Sequence, residues 1–262
     1  MRLKDKVAIV TGSSRGIGRA IALALGAEGA IVAVAARTDT PNPNLPGTIT
    51  QTAEDIASRG GRAMPIKTDI ASEESVAEMV NKLLHEFGRI DILVNNAGTN
   101  RPVLFKDIQL KHWDLIFNVN FRGAVVCTKA VLPAMIEQKG GSIVNVSSVA
   151  AQSYSHEPFT GLAYAVTKAA MSRFTLGLAE ELRAYNIAVN ALAPHNTLTE
   201  GWAFLNPDID KSSWQKPELW GNYAAFLASR DAESLSGKVL TAEELEVECA
   251  RAGWSPTFAA GR

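Results

Sequence analysis

Tyr164 and Lys168 stand four positions apart at the start of a stretch, Tyr164–Tyr185, that reads as helix, so they share one helix face. A free tyrosine titrates near pH ~10, too high for an acid–base group at neutral pH. A neighbouring ammonium favours tyrosinate and predicts a lowered value. Such a tyrosine can give a proton to a developing alkoxide or take one from an alcohol. Ser148 follows a strand-like run, Ser142–Val146, and can hydrogen-bond the oxygen where charge develops. Asn120 is a polar amide inside a long helical stretch, awkward for pure packing. Tyr–Lys pairs at this spacing also arise by chance on amphipathic helices, and Ser147-Ser148 could be an ordinary strand end. The pair gains weight from its company.

That company begins near the N-terminus. An apolar run, Val7–Thr11, leads into Thr11-Gly12-Ser13-Ser14-Arg15-Gly16-Ile17-Gly18 and then into a helical stretch, Ile17–Glu28. Gly12, Gly16 and Gly18 allow a tight turn and close backbone approach to a pyrophosphate. The helix start, with Ser14, Arg15 and Ile17, offers free N–H groups and a positive dipole end. A second strand, Ile31–Ala35, is followed by Ala36-Arg37-Thr38, with no carboxylate before Asp39. In dinucleotide folds an acid here binds the adenosine ribose, whereas an arginine accepts a 2′-phosphate. Arg37, with Arg15 as a second guanidinium, therefore favours NADP(H), with NAD(H) the alternative.

The elements that must position these groups alternate. Further strands are read at Ala63–Lys67, Ile90–Val94, Ile187–Leu192 and Lys238–Thr241; further helices at Thr48–Arg59, Ser72–Phe87, His112–Gln138 and Pro217–Leu227. Ser72 caps its helix, with Glu73 and Glu74 in the first turn. Strands apolar on both faces, separated by helices, predict a single α/β domain over 1–262: a Rossmann-type, doubly wound parallel sheet flanked by helices. Ligands in such folds bind outside the carboxyl ends of the strands. Three stretches break the rhythm: Thr38–Gly47, a substrate-loop region at about 194–216, and a tail over 242–262.

Composition is ordinary for a globular chain: 262 residues, 47% hydrophobic, 20% charged. A net charge of -1 with scattered Lys and Arg argues against nucleic acid. No apolar run approaches the ~20 residues of a membrane span, and no signal peptide is read, so a cytoplasmic setting is expected. The two cysteines and four histidines have no metal-like spacing, so no metal is expected.

Thr11-Gly-x3-Gly-Ile-Gly18, Asn95-Asn96-Ala97-Gly98 after the fourth strand, and Tyr164-x3-Lys168 occur in this order. Asn120-Phe121-Arg122-Gly123, Ser148 and Asn190 ahead of Pro194 accompany them. Together they resemble the short-chain dehydrogenase/reductase family from Val7 to about Thr199. The Thr38–Gly47 insertion is similar to that of its hydroxysteroid dehydrogenase-like group. The resemblance implies that Asn120, Ser148, Tyr164 and Lys168 are catalytic, with Asn120 holding a water that relays protons to Lys168. It further implies that Asp69 and Ile70 flank the adenine, that Asn96, Ala97 and Gly98 line the cofactor site, and that Lys168 holds the nicotinamide ribose while the ring's charge helps lower Tyr164. Pro194 and Thr199 would contact the carboxamide or a phosphate. A homotetramer or homodimer is implied, built on Lys111–Gln138 and Tyr164–Tyr185.

The expected activity is hydride transfer between NADP(H) and a carbonyl or secondary alcohol. The alternatives are an NAD(H) enzyme of the same family and a non-catalytic dinucleotide-binding protein. An enoyl reductase is disfavoured by the Tyr-x3-Lys spacing. The chain departs from the family at three places: His195 replaces the usual glycine after the proline, Gln152–Gly161 is longer than usual, and Asp-Gly-Gly after the last strand is missing. His195 either reshapes its loop, faces the cofactor or substrate, or is a surface residue. His156 and Phe159 are candidate substrate contacts. Trp202, Phe204, Trp214 and Trp220 either form an aromatic lid or pack as ordinary core.

Overall fold

The computed structural model describes residues 1–42, 45–152, 161–205, 208, 210–212 and 214–255. Seven strands form one sheet in the order β3-β2-β1-β4-β5-β6-β7, every neighbouring pair parallel. They are β1 Val7–Thr11, β2 Ile31–Ala36, β3 Arg62–Lys67, β4 Ile92–Asn95, β5 Gly141–Val146, β6 Ile187–Leu192 and β7 Lys238–Leu240. The helices are α1 Gly16–Ala27, α2 Ile49–Ser58, α3 Glu73–Phe87, α4 Leu110–Phe117, α5 Gly123–Glu137, α6 Leu162–Leu182, α7 Glu200–Leu205, α8 Pro217–Ala228 and α9 Ala242–Arg251. The doubly wound parallel sheet expected from the alternation is present.

Alternate residues of each strand supply two cores. Ala8, Val10, Val32, Val34 and Val144 face α1, α8 and α9, where Trp220 and Phe226 are buried. Val7, Ile9, Leu93, Ile143 and Val189 face α3, α5 and α6. On the first face α1 and α8 cross closely: a Cβ on Gly221 would lie 2.6 Å from the Ala20 carbonyl oxygen. Trp220 is therefore core, not lid.

Several boundaries differ from those read in the sequence, each for a local reason. Strand β4 begins at Ile92 because the Gln138 side chain takes both Ile90 backbone groups, accepting from its N–H at 3.0 Å and donating to its carbonyl at 2.9 Å. The helix expected over His112–Gln138 is interrupted: Asn118–Arg122 forms a π-helical turn, with Gly123 N–H donating to the Asn118 carbonyl. The whole helical run Leu110–Glu137, with a mean hydropathy of 1.3 in its best window, is long and apolar enough to cross a membrane by length and composition, contrary to the sequence expectation. Here it packs on the sheet through Cys127, Val131 and Met135. Helix α9 lies in the tail over 242–262, where the alternation of the sequence breaks. Its signal was Thr241-Ala242-Glu243-Glu244: Thr241 and Glu244 form a reciprocal capping box.

Overpacking a close helix crossing costs about 2 kcal/mol. Gly221→Ala is expected to lower the thermal midpoint by roughly 4–8 °C, followed by circular dichroism. Gly201→Ala, whose added methyl meets nothing within 4 Å, leaves the midpoint in place.

Candidate active site

The sheet reverses its winding between β1 and β4, where a crevice must open beyond the strand ends. Thr11 joins the two loops there. Its hydroxyl donates to the Val94 carbonyl at 3.1 Å and accepts from the N–H groups of Asn96 and Ala97, each at 3.1 Å. The Asn96 side-chain amide donates to the carbonyls of Thr11 at 2.8 Å and Gly12 at 3.2 Å. A Cβ on Gly12, at φ +66, would lie 2.7 Å from Ala97 Cα, and one on Gly18 would lie 2.3 Å from the Asn96 amide nitrogen. These two glycines let the first and fourth strand ends meet.

The resulting cleft has a volume of about 550 Å³. Its walls include Gly12, Ser14, Arg15, Gly16, Ile17, Gly18, Arg37, Asp69, Ile70, Asn96, Ala97, Gly98, Tyr164, Lys168 and Thr199. The structure thus gathers nearly every residue singled out for cofactor binding. Pro194 is not among these residues; its carbonyl accepts from Val149 N–H at 3.2 Å and from the Ser148 hydroxyl at 3.4 Å. A dinucleotide fits the cradle. A Cβ on Gly98 would meet nothing closer than 3.5 Å, so protein packing leaves that volume to the cleft. Arg37 is exposed at the β2 end. The nearest downstream acid, Asp39, is paired with Lys67 at 3.0 Å, which holds its carboxyl below the usual range. Arg15 is engaged in part: its guanidinium donates from Nε and Nη2 to the backbone carbonyls of Pro46 and Gly47.

Helix α6 carries Tyr164 and Lys168 to the cleft. Ser147, at the end of β5, anchors it by donating to the Lys168 carbonyl at 3.0 Å and by pairing with the Ser172 hydroxyl at 2.7 Å. Ser148 is hydrogen-bonded to the Tyr164 hydroxyl. Lys168 is 4% exposed and donates from Nζ to the Val146 carbonyl at 2.7 Å. Its Nζ lies 5.4 Å from the Tyr164 ring centroid.

The expected lowering of Tyr164 is not met by the chain's own groups. Burial raises its pKa to about 12, opposed only in part by the Ser148 hydrogen bond. Burial likewise lowers Lys168 to about 8. Desolvation disfavours the charged form of each, and it outweighs their proximity.

The polar atoms of the Asn120 side chain are engaged. Its Oδ1 accepts from Thr99 N–H at 2.7 Å, and its amide donates to the Thr99 carbonyl at 2.9 Å and the Thr167 hydroxyl at 3.2 Å. This clamp joins the loop after β4, the π turn and α6. Asn190 does similar work at the sheet edge, donating to the Leu235 carbonyl and accepting from Lys238 N–H. His195 is exposed and has no positive φ, so the loop takes a shape that histidine tolerates. Trp202 and Phe204 line the cleft, with Trp214 packed edge-on against Trp202. His156 and Phe159 lie outside the described residues, as does most of Gln152–Gly161.

Glu200 was not singled out from the sequence. Its carboxylate accepts from Gly16 N–H at 2.9 Å, placing an anion on the first amide of α1. The helix dipole favours a negative charge there. The acidic residue directly after Thr199 was the available signal.

A model of the short chain dehydrogenase family matches residues 6–210. Human hydroxysteroid dehydrogenase-like protein 2 is 36% identical over 93% of the chain, which spans 58% of that protein's length. The 3-oxoacyl-(acyl-carrier-protein) reductase of Thermotoga maritima is 36% identical, with 92% of this chain and 97% of that one covered. A solved structure from Beutenbergia cavernae with NADP bound at low occupancy superposes with a TM-score of 0.81 at 32% identity, covering 92% and 96% of the two chains. The chain therefore belongs to the short chain dehydrogenase family, oxidoreductases that bind a nicotinamide cofactor and a small-molecule substrate.

Because Lys168 is lowered to about 8 from 10.5, the folded chain binds fewer protons than the unfolded chain between those values. The cost of burying its charge is full below pH 8 and is released as pH rises to 10.5. Relative to Lys168→Met, the cofactor-free wild type gains on the order of 3 kcal/mol across this window, read by denaturant unfolding. A difference that stays flat with pH would show that Lys168 is not desolvated.

Proposed function

We propose that this chain transfers hydride between NADP(H) and a carbonyl or secondary alcohol, with Tyr164 as the general acid and base. The observation that carries the reading is the hydrogen-bonded Ser148–Tyr164 pair beside buried Lys168, at one end of a cleft whose other end offers Arg37. The bound nicotinamide would supply or accept the hydride at the substrate carbon. Tyr164 gives its phenolic proton to the oxygen in reduction and takes it back in oxidation. Held protonated at neutral pH by burial, it is set to donate. Ser148 hydrogen-bonds the same oxygen and stabilises charge growing there. Lys168 holds the nicotinamide ribose, and its charged form favours the tyrosinate left behind. Asn120 keeps the loop after β4 and helix α6 in register.

NADP(H) is supported by Arg37 in the cleft wall and by Asp39 being tied to Lys67 outside it. The Beutenbergia cavernae structure, with NADP bound, is consistent with this. The names of the relatives, a hydroxysteroid dehydrogenase-like protein and a 3-oxoacyl reductase, point toward carbonyl and secondary alcohol chemistry. Trp202 and Phe204 give the cleft an apolar wall for part of the substrate. The two buried, free cysteines suit a cytoplasmic setting.

A homo-oligomer is also proposed. Leu110 and Leu115 on α4 are 74% and 49% exposed, and Val166 and Leu176 on α6 are 37% and 45% exposed. Helices α4 and α6 pack against each other, so these apolar groups lie on adjoining helices that a second copy can cover.

Oxidation of NADPH and NADH is to be followed over a panel of ketones and aldehydes. NADPH should be preferred, and Tyr164→Phe should lose at least about 100-fold in kcat while retaining cofactor affinity. Preference for NADH would refute the Arg37 assignment and leave the chemistry standing. Full turnover in Tyr164→Phe would refute the proton-transfer role. By light scattering the wild type should run as a dimer or tetramer, and Leu115→Glu with Leu176→Glu should run smaller. A monomeric wild type would end the oligomer proposal.

A further inference from the structure

The Thr38–Gly47 insertion is absorbed neither by the sheet nor by the proton-transfer groups, yet it reaches the cleft. Leu45 stands in the cleft wall. Arg15, in the same wall, donates from Nε to the Pro46 carbonyl at 2.9 Å and from Nη2 to the Gly47 carbonyl at 3.0 Å. Gly47 has φ +98, and a Cβ there would lie 2.4 Å from the Ser14 carbonyl oxygen. The end of the insertion thus rests on the glycine-loop backbone at a distance only glycine allows. Its base is closed by Ile49 N–H on the Thr38 carbonyl at 3.0 Å, and Thr48 caps α2 by accepting from Gln51 N–H. A surface loop with its ends held together is a unit that can carry a function of its own.

The geometry at Arg15 is specific. Two bonds to successive carbonyls fix the plane of the guanidinium, which a single contact would leave free to rotate. Both partners are neutral, so neither cancels the charge. Burial lowers the pKa of Arg15, and the field of the Glu200 carboxylate opposes that shift in part. Of the five N–H donors of an arginine, these two bonds leave three. Arg37 is an exposed cation in the same wall, directly before the first residue of the insertion.

We propose that the Pro46–Gly47 end of the insertion orients Arg15 toward the 2′-phosphate of the dinucleotide, so that Arg15 and Arg37 read that group together. The inference rests on the NADP(H) reading above and adds a positioning element to it. A guanidinium held in plane before the ligand arrives loses less freedom on binding than one gathered from solvent. The insertion is then a specificity device, and cofactor choice depends on a backbone contact outside the glycine loop.

The test uses two small probes, 2′,5′-ADP and 5′-AMP, which differ in the 2′-phosphate, titrated calorimetrically into the whole chain. Wild type should bind 2′,5′-ADP at least tenfold more tightly than 5′-AMP. Gly47→Ala forces the insertion off Ser14 and should cut that preference by about tenfold, the worth of one charge-assisted hydrogen bond. Its affinity for 5′-AMP should not change. Arg15→Lys keeps the charge and loses the fork; it should show the same loss, and it decides the matter if Gly47→Ala fails to fold. An undiminished preference in Arg15→Lys, or in folded Gly47→Ala, overturns the role of the insertion and leaves the NADP(H) reading intact. A wild type without preference overturns both.

Discussion

One hydroxyl joins the two halves of this molecule. Thr11 ends the first strand, and its side chain bonds Val94, Asn96 and Ala97 at the end of the fourth. Parallel strands have no turn to hold their ends in register, so the loops beyond them need ties of their own. Here the tie falls where the winding reverses, and the cleft opens beside it. With Asn96 bonded back to Thr11 and Gly12, the glycine loop and the Asn-Asn-Ala-Gly loop form one rigid floor. The glycines are required twice over: Gly12 for its positive φ, Gly18 because the Asn96 amide occupies the space of a side chain. Helix α1 then points its free amides into the cleft, and Glu200 already occupies the first of them.

A second set of polar ties fixes the other wall. Ser147 bonds the backbone of Lys168, and Asn120 binds Thr99 and Thr167 together. Asn95 and Asn145 continue the network inward, Asn95 donating to Asn145 and to Thr128, and Asn145 to Thr175. Buried amides are costly unless bonded and directional once they are. They lock α5 and α6 to the strand ends at one registration, which hydrophobic contacts alone would not specify. The π turn at Asn118–Arg122 belongs to this arrangement. Extra residues in one turn often mark functional sites, and this one holds the clamp on the loop after β4.

Much of this was legible in the sequence because each signal was local and had a geometric consequence. Two-sided apolar strands gave the parallel sheet; a glycine turn between strand and helix gave the cradle; Tyr164 and Lys168 at helical spacing gave one shared face. What escaped notice depended on partners distant in sequence. Gln138 trims β4 from 48 positions away, and Glu200 reaches Gly16 from 184 away. No periodicity reports either contact. Arg15 illustrates the same limit: its charge type was readable, but its commitment to Pro46 and Gly47 was not. The capping box of α9 is different, since Thr241 and Glu244 carry a local signature that was overlooked.

The direction of the tyrosine shift carries the sharpest lesson. Proximity of an ammonium suggested a lowered Tyr164, yet burial raises it and lowers Lys168 as well. Both groups lean toward their neutral forms, so the chain by itself stabilises a phenol beside a weakened cation. On the proposed reading, such a phenol gives its proton to a forming alkoxide, and positive charge nearby eases that transfer. At about 8, Lys168 is still mostly charged at neutral pH, and an anionic dinucleotide would hold it so, steadying the cation that eases formation of tyrosinate.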